Sequence, residues 1–552
     1  MEQLIDVKNQ VELDIKIREA NTKIYNLDRI AEEIKRGYLC VFAGAGLSAA
    51  SGYVDWKTLL EPMGKQLGLN INMDLTVMAQ YYKNKFTRDE LNRRVLEEFA
   101  KIPKSNANME ILASMPIKKY WTTNYDSIIE DTLKSKGKIV DIIIEQLQFK
   151  YHTPYRDAEV IKMHGDKTMP DTAVLCKDDY ESYDEKRGLF TQSLTLDLIS
   201  NTFLFIGFSF SDPNLDRIIA IVKRIFDENA PKKHYCFLRR VHLEDYLKGD
   251  ITDEKAKEQY EVDFNNQECK IQDMIHYGIE TILVDDFEQI TYMLKYIRDK
   301  IKLNSVFISG ALNSKKPNDY GSFKYKEKNG HFEKGEDFIM KLSNALITNG
   351  YKIVTGFGVG VGNYIVAGAY SLKKGKKNHS IEDSIQIQPM ICVDAESEEI
   401  VEGVRKELIE KCGTIITIFG KNRIKDIKDD LSVLDKDGTY VEYRIAKDKK
   451  KIIIIPIGAT GFTSEHIYNE EKENWIDNIG LYEALGDKKA SVDDLIKNII
   501  EGIEYKKNKR EEEMCQVLIN SVFNPISESK LMSEVHIKQN IKDIQNYNKN
   551  DA

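Results

Sequence analysis

The sequence predicts an α/β protein built from two Rossmann-like domains with mainly parallel sheets. Three observations carry this. Short apolar runs stop abruptly at Gly, Asn or His, which is how strands buried on both faces read. Helix-patterned stretches separate most of these runs, the alternation that builds a parallel sheet. The series occurs twice along 552 residues, too many for a single core.

Residues 1–36 are charged, with Ile and Leu at helical spacing, and predict one or two amphipathic helices. Tyr38–Ala43 is the first strand-like run and stops at Gly44. Ile117–Thr122, Ile139–Ile144, Val160–Met163, Phe203–Phe208, Tyr235–Leu238 and Thr281–Val284 follow. Between about 241 and 277 the Glu-, Lys- and Asp-rich chain reads as a charged helical excursion, and 286–302 reads as a helix. The second strand series is Val306–Gly310, Tyr351–Thr355, Ile387–Val393, Thr414–Phe419 and Ile452–Pro456. From about 508 the chain turns polar and predicts a weakly packed extension, in which Val517–Phe523 could dock. The expected division is 1–285, 286–508 and 509–552. No repeat of solenoid length is present.

The net charge of −9 argues against a nucleic-acid partner. No apolar run approaches the ~20 residues that cross a bilayer, and the N-terminus lacks a secretory pattern. Seven cysteines, none in a C-x-x-C pair, fit a reducing compartment. A cytoplasmic protein with no membrane contact is expected.

Four strand ends carry candidate chemistry. Gly44-Ala45-Gly46-Leu47-Ser48-Ala49-Ala50-Ser51-Gly52 follows the first strand; its small residues let backbone N–H groups approach an anion at the start of the next helix. It is neither the six-residue G-x-G-x-x-G nor a P-loop. Trp121-Thr122-Thr123-Asn124-Tyr125-Asp126 and Val160-Ile161-Lys162-Met163-His164-Gly165-Asp166 end two further strands, where α/β sheets bind ligands. Phe205-Ile206-Gly207-Phe208-Ser209-Phe210-Ser211-Asp212 turns from a strand into a polar loop. Taken singly, each also reads as an ordinary turn or helix cap.

In this order the four motifs resemble the sirtuin family, over roughly residues 30–285: GAG-x-S, T-x-N-x-D, HG and G-x-S form its NAD-binding signature. The resemblance implies that Gly44, Ala45, Gly46 and Ser48 hold the pyrophosphate of NAD+. Asp55 and Trp56 would lie over the nicotinamide side, Asn124 and Asp126 would line the nicotinamide-ribose pocket, and His164 would be the general base. Gly207 and Ser209 would border the adenosine end. The chain departs from the deacetylating branch twice: it has no C-x-x-C pair to build the zinc module, and Thr-Thr-Asn-Tyr-Asp replaces T-Q-N-I-D. Both departures favour NAD+ cleavage with water as acceptor and no metal. Nicotinamide leaves as a neutral fragment, so Asn124 and His164 are the expected catalytic pair: one holds water or ribose hydroxyls near C1′, the other accepts a proton.

The second half offers Val306–Ala311, then Gly356, Gly358, Gly360 and Gly362 at alternate positions after a strand, a loop that suits phosphate. Gly420-Lys421-Asn422-Arg423 is a basic strand end, and Gly438-Thr439-Tyr440-Val441-Glu442 follows. This pattern resembles the SLOG superfamily, related to cytokinin-activating phosphoribohydrolases. Gly438, Thr439 and Glu442 match G-T-x-x-E, but Asp435 and Lys436 stand where those enzymes carry glycines, so ligand binding is expected here rather than catalysis.

A sirtuin-like domain followed by a SLOG domain resembles the effector of the Thoeris anti-phage system. The resemblance implies a TIR-domain partner that makes a cyclic ADP-ribose isomer, which binds the SLOG domain and switches on NAD+ hydrolysis. It further implies a homotetramer or larger assembly. Activator contacts are expected at Ser309, Gly310, Gly358, Gly360, Arg405, Lys421 and Glu442, with Arg423 an equal candidate to Lys421. The competing readings are an NAD-dependent protein deacylase, a non-catalytic nucleotide sensor, and a phosphoribohydrolase active in the second domain.

Overall fold

The computed structural model describes residues 2–69, 73–210, 212–226, 233–247, 253–311, 327–328, 331–332, 335–358, 360–371, 384–389 and 395–522. The chain forms two units, one of Met1–Arg298 with Val517–Ala552 and one of Asp299–Gln516.

The first unit is built on seven parallel strands: β1 (Leu39–Ala43), β2 (Lys119–Thr122), β3 (Val140–Ile143), β4 (Ala158–Lys162), β5 (Thr202–Ile206), β6 (His234–Arg239) and β7 (Ile279–Val284). Their order across the sheet is β3-β4-β2-β1-β5-β6-β7. Every residue of β1, β4 and β5 is buried, which is why β1 and β5 read as nearly continuous apolar runs rather than alternating ones; β4 buries Glu159 and Lys162 among its apolar residues. Phe42, Trp121, Ile161, Phe203 and Phe205 from the strands pack with Leu194, Leu198, Leu215 and Ile218. The latter come from helices Tyr183–Ser200 and Pro213–Phe226. The N-terminal segment is one helix, Glu2–Arg36. It buries Ile24, Leu27, Ile30, Ala31 and Ile34, the one-sided spacing of an amphipathic helix.

The connections run from β1 to β2 on one side, and from β4 across to β5 on the other. The crevice at the C-terminal ends of β1, β2 and β5 is therefore a topological switch point, where open parallel sheets bind ligands.

The second unit has strands β8 (Ser305–Ala311), β9 (Glu327–Lys328), β10 (His331–Phe332), β11 (Lys352–Thr355), β12 (Ile385–Ile387), β13 (Thr414–Phe419) and β14 (Ile453–Pro456). Five of them form a parallel sheet in the order β12-β11-β8-β13-β14, and β9 pairs with β10. Phe307, Val354 and Ile415 pack with Leu408, Ile409, Cys412 and Ala446. The switch point here lies at the ends of β8, β11 and β13.

Two expectations change. The strand expected over Ile387–Val393 runs over Ile385–Ile387, and 390–393 lie outside the described residues. The weakly packed tail expected from 508 is, as far as Val522, the end of a 31-residue helix that starts at Val492. Met514, Cys515, Leu518 and Val522 are buried on it; their helical spacing is diluted by Lys, Arg and Glu, so composition alone hid it. No described helix is long and apolar enough to cross a membrane.

Gly207 has φ +63°, and a Cβ there would stand 2.6 Å from the Gly46 carbonyl carbon and closer still to the Leu47 nitrogen. Gly52 has φ +91°, and a Cβ there would meet nothing within 4 Å. Both alanine variants meet the backbone cost of roughly 1 kcal/mol, but only Gly207→Ala adds a clash with main chain. Thermal melting of the two variants is therefore expected to show a much larger drop in Tm for Gly207→Ala; equal drops would remove the steric account.

Candidate active site

One register line crosses the first sheet at its C-terminal edge. Lys162 pairs with Thr122, Thr122 with Ala43, and Ala43 with Ile206. The four sequence motifs begin immediately beyond that line. Asn124 and His164 each stand two residues past the Thr122–Lys162 pair, and Asn124 reaches the Gly44 carbonyl.

The glycine turns lock against each other. Gly44 N–H donates to the Ile206 carbonyl (3.0 Å) and Gly46 N–H to the Gly207 carbonyl (2.8 Å). A Cβ on Gly44 would meet Phe208 Cα at 2.7 Å, and one on Gly46 would meet Gly207 Cα at 2.8 Å. These two amides are thus committed to the β1–β5 contact. Ala45 opens the short helix Ala45–Ala49.

Asn124 is buried, and its amide nitrogen donates to the Gly44 carbonyl and to Ser48 Oγ, both at 2.9 Å. Ser48 Oγ in turn donates to Asp126 Oδ2 (2.7 Å), while Asp126 Oδ1 accepts from Ile128 N–H (3.0 Å). Ser48 therefore joins the two ribose-side candidates, a different immediate role from the pyrophosphate contact expected of it. With both amide protons used, the Asn124 carbonyl is what remains to accept from a water or a sugar hydroxyl.

Beneath these loops lies Lys162, fully buried. It donates to the Tyr125 and Asp126 carbonyls, to Glu130 Oε1 (3.0 Å) and to Asp166 Oδ2. Burial alone would discharge this amine, but Glu130 and Asp166 outweigh it and hold its pKa above the usual value. The Glu130 carboxyl is pushed up by burial against the pull of Lys162, and its Oε2 has no partner. His164 is also buried, and burial holds its imidazole below the ordinary value; Asp212 opposes that shift and Arg187 adds to it.

Asp55 is exposed and caps the helix Trp56–Leu67, accepting from Thr58 N–H (2.8 Å). Trp56 lies over Tyr125, ring centroids 6.4 Å apart, which brings it beside the Asn124 segment. Ser209 is exposed, and its carbonyl accepts from Lys270.

In the second unit, Ser309 on β8 donates to Glu442 Oε2, and Arg405 Nε donates to Glu442 Oε1 (3.2 Å). Glu442 is buried, which raises its pKa against the effect of Arg405. Gly310 and Gly358 meet closely: a Cβ on Gly358 would stand 2.6 Å from the Gly310 carbonyl oxygen. Gly360 has φ +73°. Lys421 and Arg423 are exposed. The Lys421 and Asn422 amides donate to buried Asp437 Oδ2 at 3.0 and 3.2 Å. Ser309, Arg405 and Glu442 thus form one polar cluster, with Gly310 next in sequence to Ser309, while Lys421 is tied through its backbone to Asp437.

Residues 289–506 match the Sir2- and TIR-associating SLOG family, and residues 118–264 match the SIR2-like domain family. NAD(+) hydrolase ThsA of Bacillus cereus (strain MSX-D12) is 34% identical over 493 residues, which is 86% of this chain and 97% of its own. NAD(+) hydrolase ThsA of Acinetobacter baumannii (strain 532279) is 35% identical over 451 residues, 80% of this chain and 89% of its own. The chain belongs to the ThsA family. Defense-associated sirtuin 2 of Bacillus subtilis shares 25% identity over 227 residues, 39% of this chain and 22% of its own.

ThsA membership fits the two-unit order, SIR2-like then SLOG, that the motifs implied. Lys162, Asp212 and Asp437 lie in or beside those motifs, yet the motifs assign them no role. A Lys inside an apolar strand run was the available signal for Lys162. Among the described residues, one group has ligand atoms close enough for a cation: Asp141, His152 and Glu159, all within 4.8 Å. Arg156 lies 3.5 Å from Asp141 and 3.6 Å from Glu159, and Lys119 lies 3.8 Å from Glu159, so cationic side chains already face both carboxylates. No disulfide joins the six described cysteines, and Cys392 lies outside the described residues.

Replacing Lys162 by Met would strand Glu130 and Asp166 without their cation. Breaking a buried pair on one side costs about 3–5 kcal/mol. Lys162→Met is expected to lower the chemical-denaturation midpoint of the SIR2-like unit sharply, and Lys162→Met with Glu130→Gln and Asp166→Asn to recover part of it. A single variant as stable as the parent would contradict the network.

Proposed function

We propose that the chain is an NAD+ hydrolase of anti-phage defence that releases nicotinamide and ADP-ribose. One observation carries the reading: Asn124 and His164 stand at equal steps beyond the paired ends of β2 and β4, with Asn124 bonded to Gly44 of the β1–β5 glycine contact. The reaction needs few covalent steps from the protein. As the C1′–nicotinamide bond breaks, its electron pair leaves with nicotinamide and positive charge grows on the ribose. The Asn124 carbonyl, held by two hydrogen bonds from its own amide nitrogen, orients a water or ribose hydroxyl. His164, kept neutral by burial, takes the proton as oxygen attacks C1′. Asp126 and Ser48 keep Asn124 in register. The names of the ThsA relatives support NAD+ as substrate.

The SLOG unit is the sensing part. Ser309, Gly310, Arg405 and Glu442 form its ligand cluster, with the glycine loop at Gly358 and Gly360 for phosphate and Lys421 or Arg423 as the exposed cation. The ligand is a cyclic ADP-ribose isomer made by a TIR-domain partner, a reading supported by the TIR association in the matched family's description. Its binding favours an active state, and the hydrolase works as a homotetramer or larger assembly that depletes cellular NAD+.

Purified Asn124→Ala and His164→Ala are each expected to lose nicotinamide release by at least ~100-fold while keeping the folded circular-dichroism spectrum; parental turnover in both refutes the assignment. Because a neutral imidazole is the active form and its pKa is lowered from 6.5, the acid limb of kcat/KM is expected below that pH. Cyclic ADP-ribose isomers are expected to raise nicotinamide release from the parent and not from Arg405→Ala; an equal rise in both would remove Arg405 from the sensor.

A further inference from the structure

His164 faces a carboxylate that the four motifs leave without a role. Asp212 lies after β5, at the start of helix Pro213–Phe226. Its Oδ1 accepts from Asn214 N–H (3.0 Å) and Leu215 N–H (3.1 Å), which pins the carboxylate to the first helical turn. Its other oxygen, Oδ2, lies 3.2 Å from His164 Nε2. That nitrogen is buried and has no hydrogen-bond partner; the approach is close but not aligned, as catalytic contacts often are before substrate binds. The two side chains are 4% and 10% exposed.

We infer that Asp212 is a positioning residue that holds the His164 imidazole, through Nε2, in one orientation and one tautomer. The inference rests on His164 being the base. A proton on Nε2 donated to Asp212 leaves Nδ1 with its lone pair free to act. In the reaction the O–H bond of the attacking water breaks, its proton goes to Nδ1, and the oxygen pair goes to C1′ as the nicotinamide bond opens. The imidazolium that results is stabilised by the Asp212 carboxylate; this is the division of labour of a carboxylate–histidine pair.

The surroundings of the ring agree. Tyr180 and Tyr183 meet it edge-on, centroids 5.6 and 6.2 Å away. Arg187, which donates to the Met163 carbonyl (3.2 Å), is the cation whose field reaches the ring, and Asp212 is the anion. Asp212 is thus the one group among these that favours the protonated ring, the form the base must reach in the transition state.

The test uses the full chain with ¹³C-labelled histidine and NAD+ as substrate. Nine histidines are present, and the His164 signal is assigned by its loss in His164→Gln. Asp212→Asn keeps a side-chain oxygen for the helix cap but removes the charge; Asp212→Ser is the parallel capping variant. Loss of a charge at this distance is expected to lower the His164 titration midpoint by about 1 pH unit, and to move the acid limb of kcat/KM down by the same amount. An unchanged midpoint in both variants, with melting preserved, overturns the pairing and leaves Asp212 a helix cap. Parental nicotinamide release by His164→Gln would instead refute the base assignment, whatever the midpoint does, so the two failures are read by separate measurements.

Discussion

A buried ammonium underlies the catalytic unit. Lys162 has no access to solvent, yet its charge is retained because Glu130 and Asp166 surround it and two backbone carbonyls accept from it. Those carbonyls belong to Tyr125 and Asp126, and Asp166 belongs to the His164 loop. One side chain therefore fixes the loops of β2 and β4 together. A charge buried this deeply is tolerable only with every surrounding partner in place, so the arrangement admits little relaxation. That rigidity is what a reaction with little covalent chemistry requires: positioning and shielding supply most of the effect.

The second constraint is steric. Gly44, Gly46 and Gly207 let two strand-end turns touch backbone to backbone, and the Gly44 carbonyl accepts from both Leu47 N–H and Asn124. Glycine here serves close approach rather than direct anion contact. The SLOG unit uses the same device between Gly310 and Gly358, and again places a polar cluster, Ser309–Glu442–Arg405, at the end of its first strand. Both candidate sites follow from the same property of parallel sheets, whose strand ends converge at the switch point.

Much of this was legible in the sequence because the strands are buried on both faces. Runs such as Thr414–Phe419 and Tyr38–Ala43 contain nothing polar enough to blur their ends, so the motifs that follow them were already located. The order of strands was not legible: nothing local says that β4 inserts between β2 and β3, since that choice depends on helix packing. The roles of side chains were legible only in part. The structure adds that Asp55 caps a helix and that Ser48 bridges Asn124 and Asp126, contacts no motif announces. Lys162 carried no role in the sequence, because the charges that justify it come from Glu130 and Asp166, one a full strand connection away. The helical end of the chain at Val522 was hidden by its charged composition.

The central claim is that the crevice beyond the Thr122–Lys162 pair receives the nicotinamide ribose of NAD+. A crystal structure of the slow Asn124→Ala variant soaked with intact NAD+ addresses it most directly. The account requires density for the nicotinamide riboside against His164 and position 124, with the pyrophosphate near the Gly44–Ser48 turn. Dinucleotide bound with its glycosidic bond elsewhere on the protein, and this crevice filled only by solvent, would contradict it.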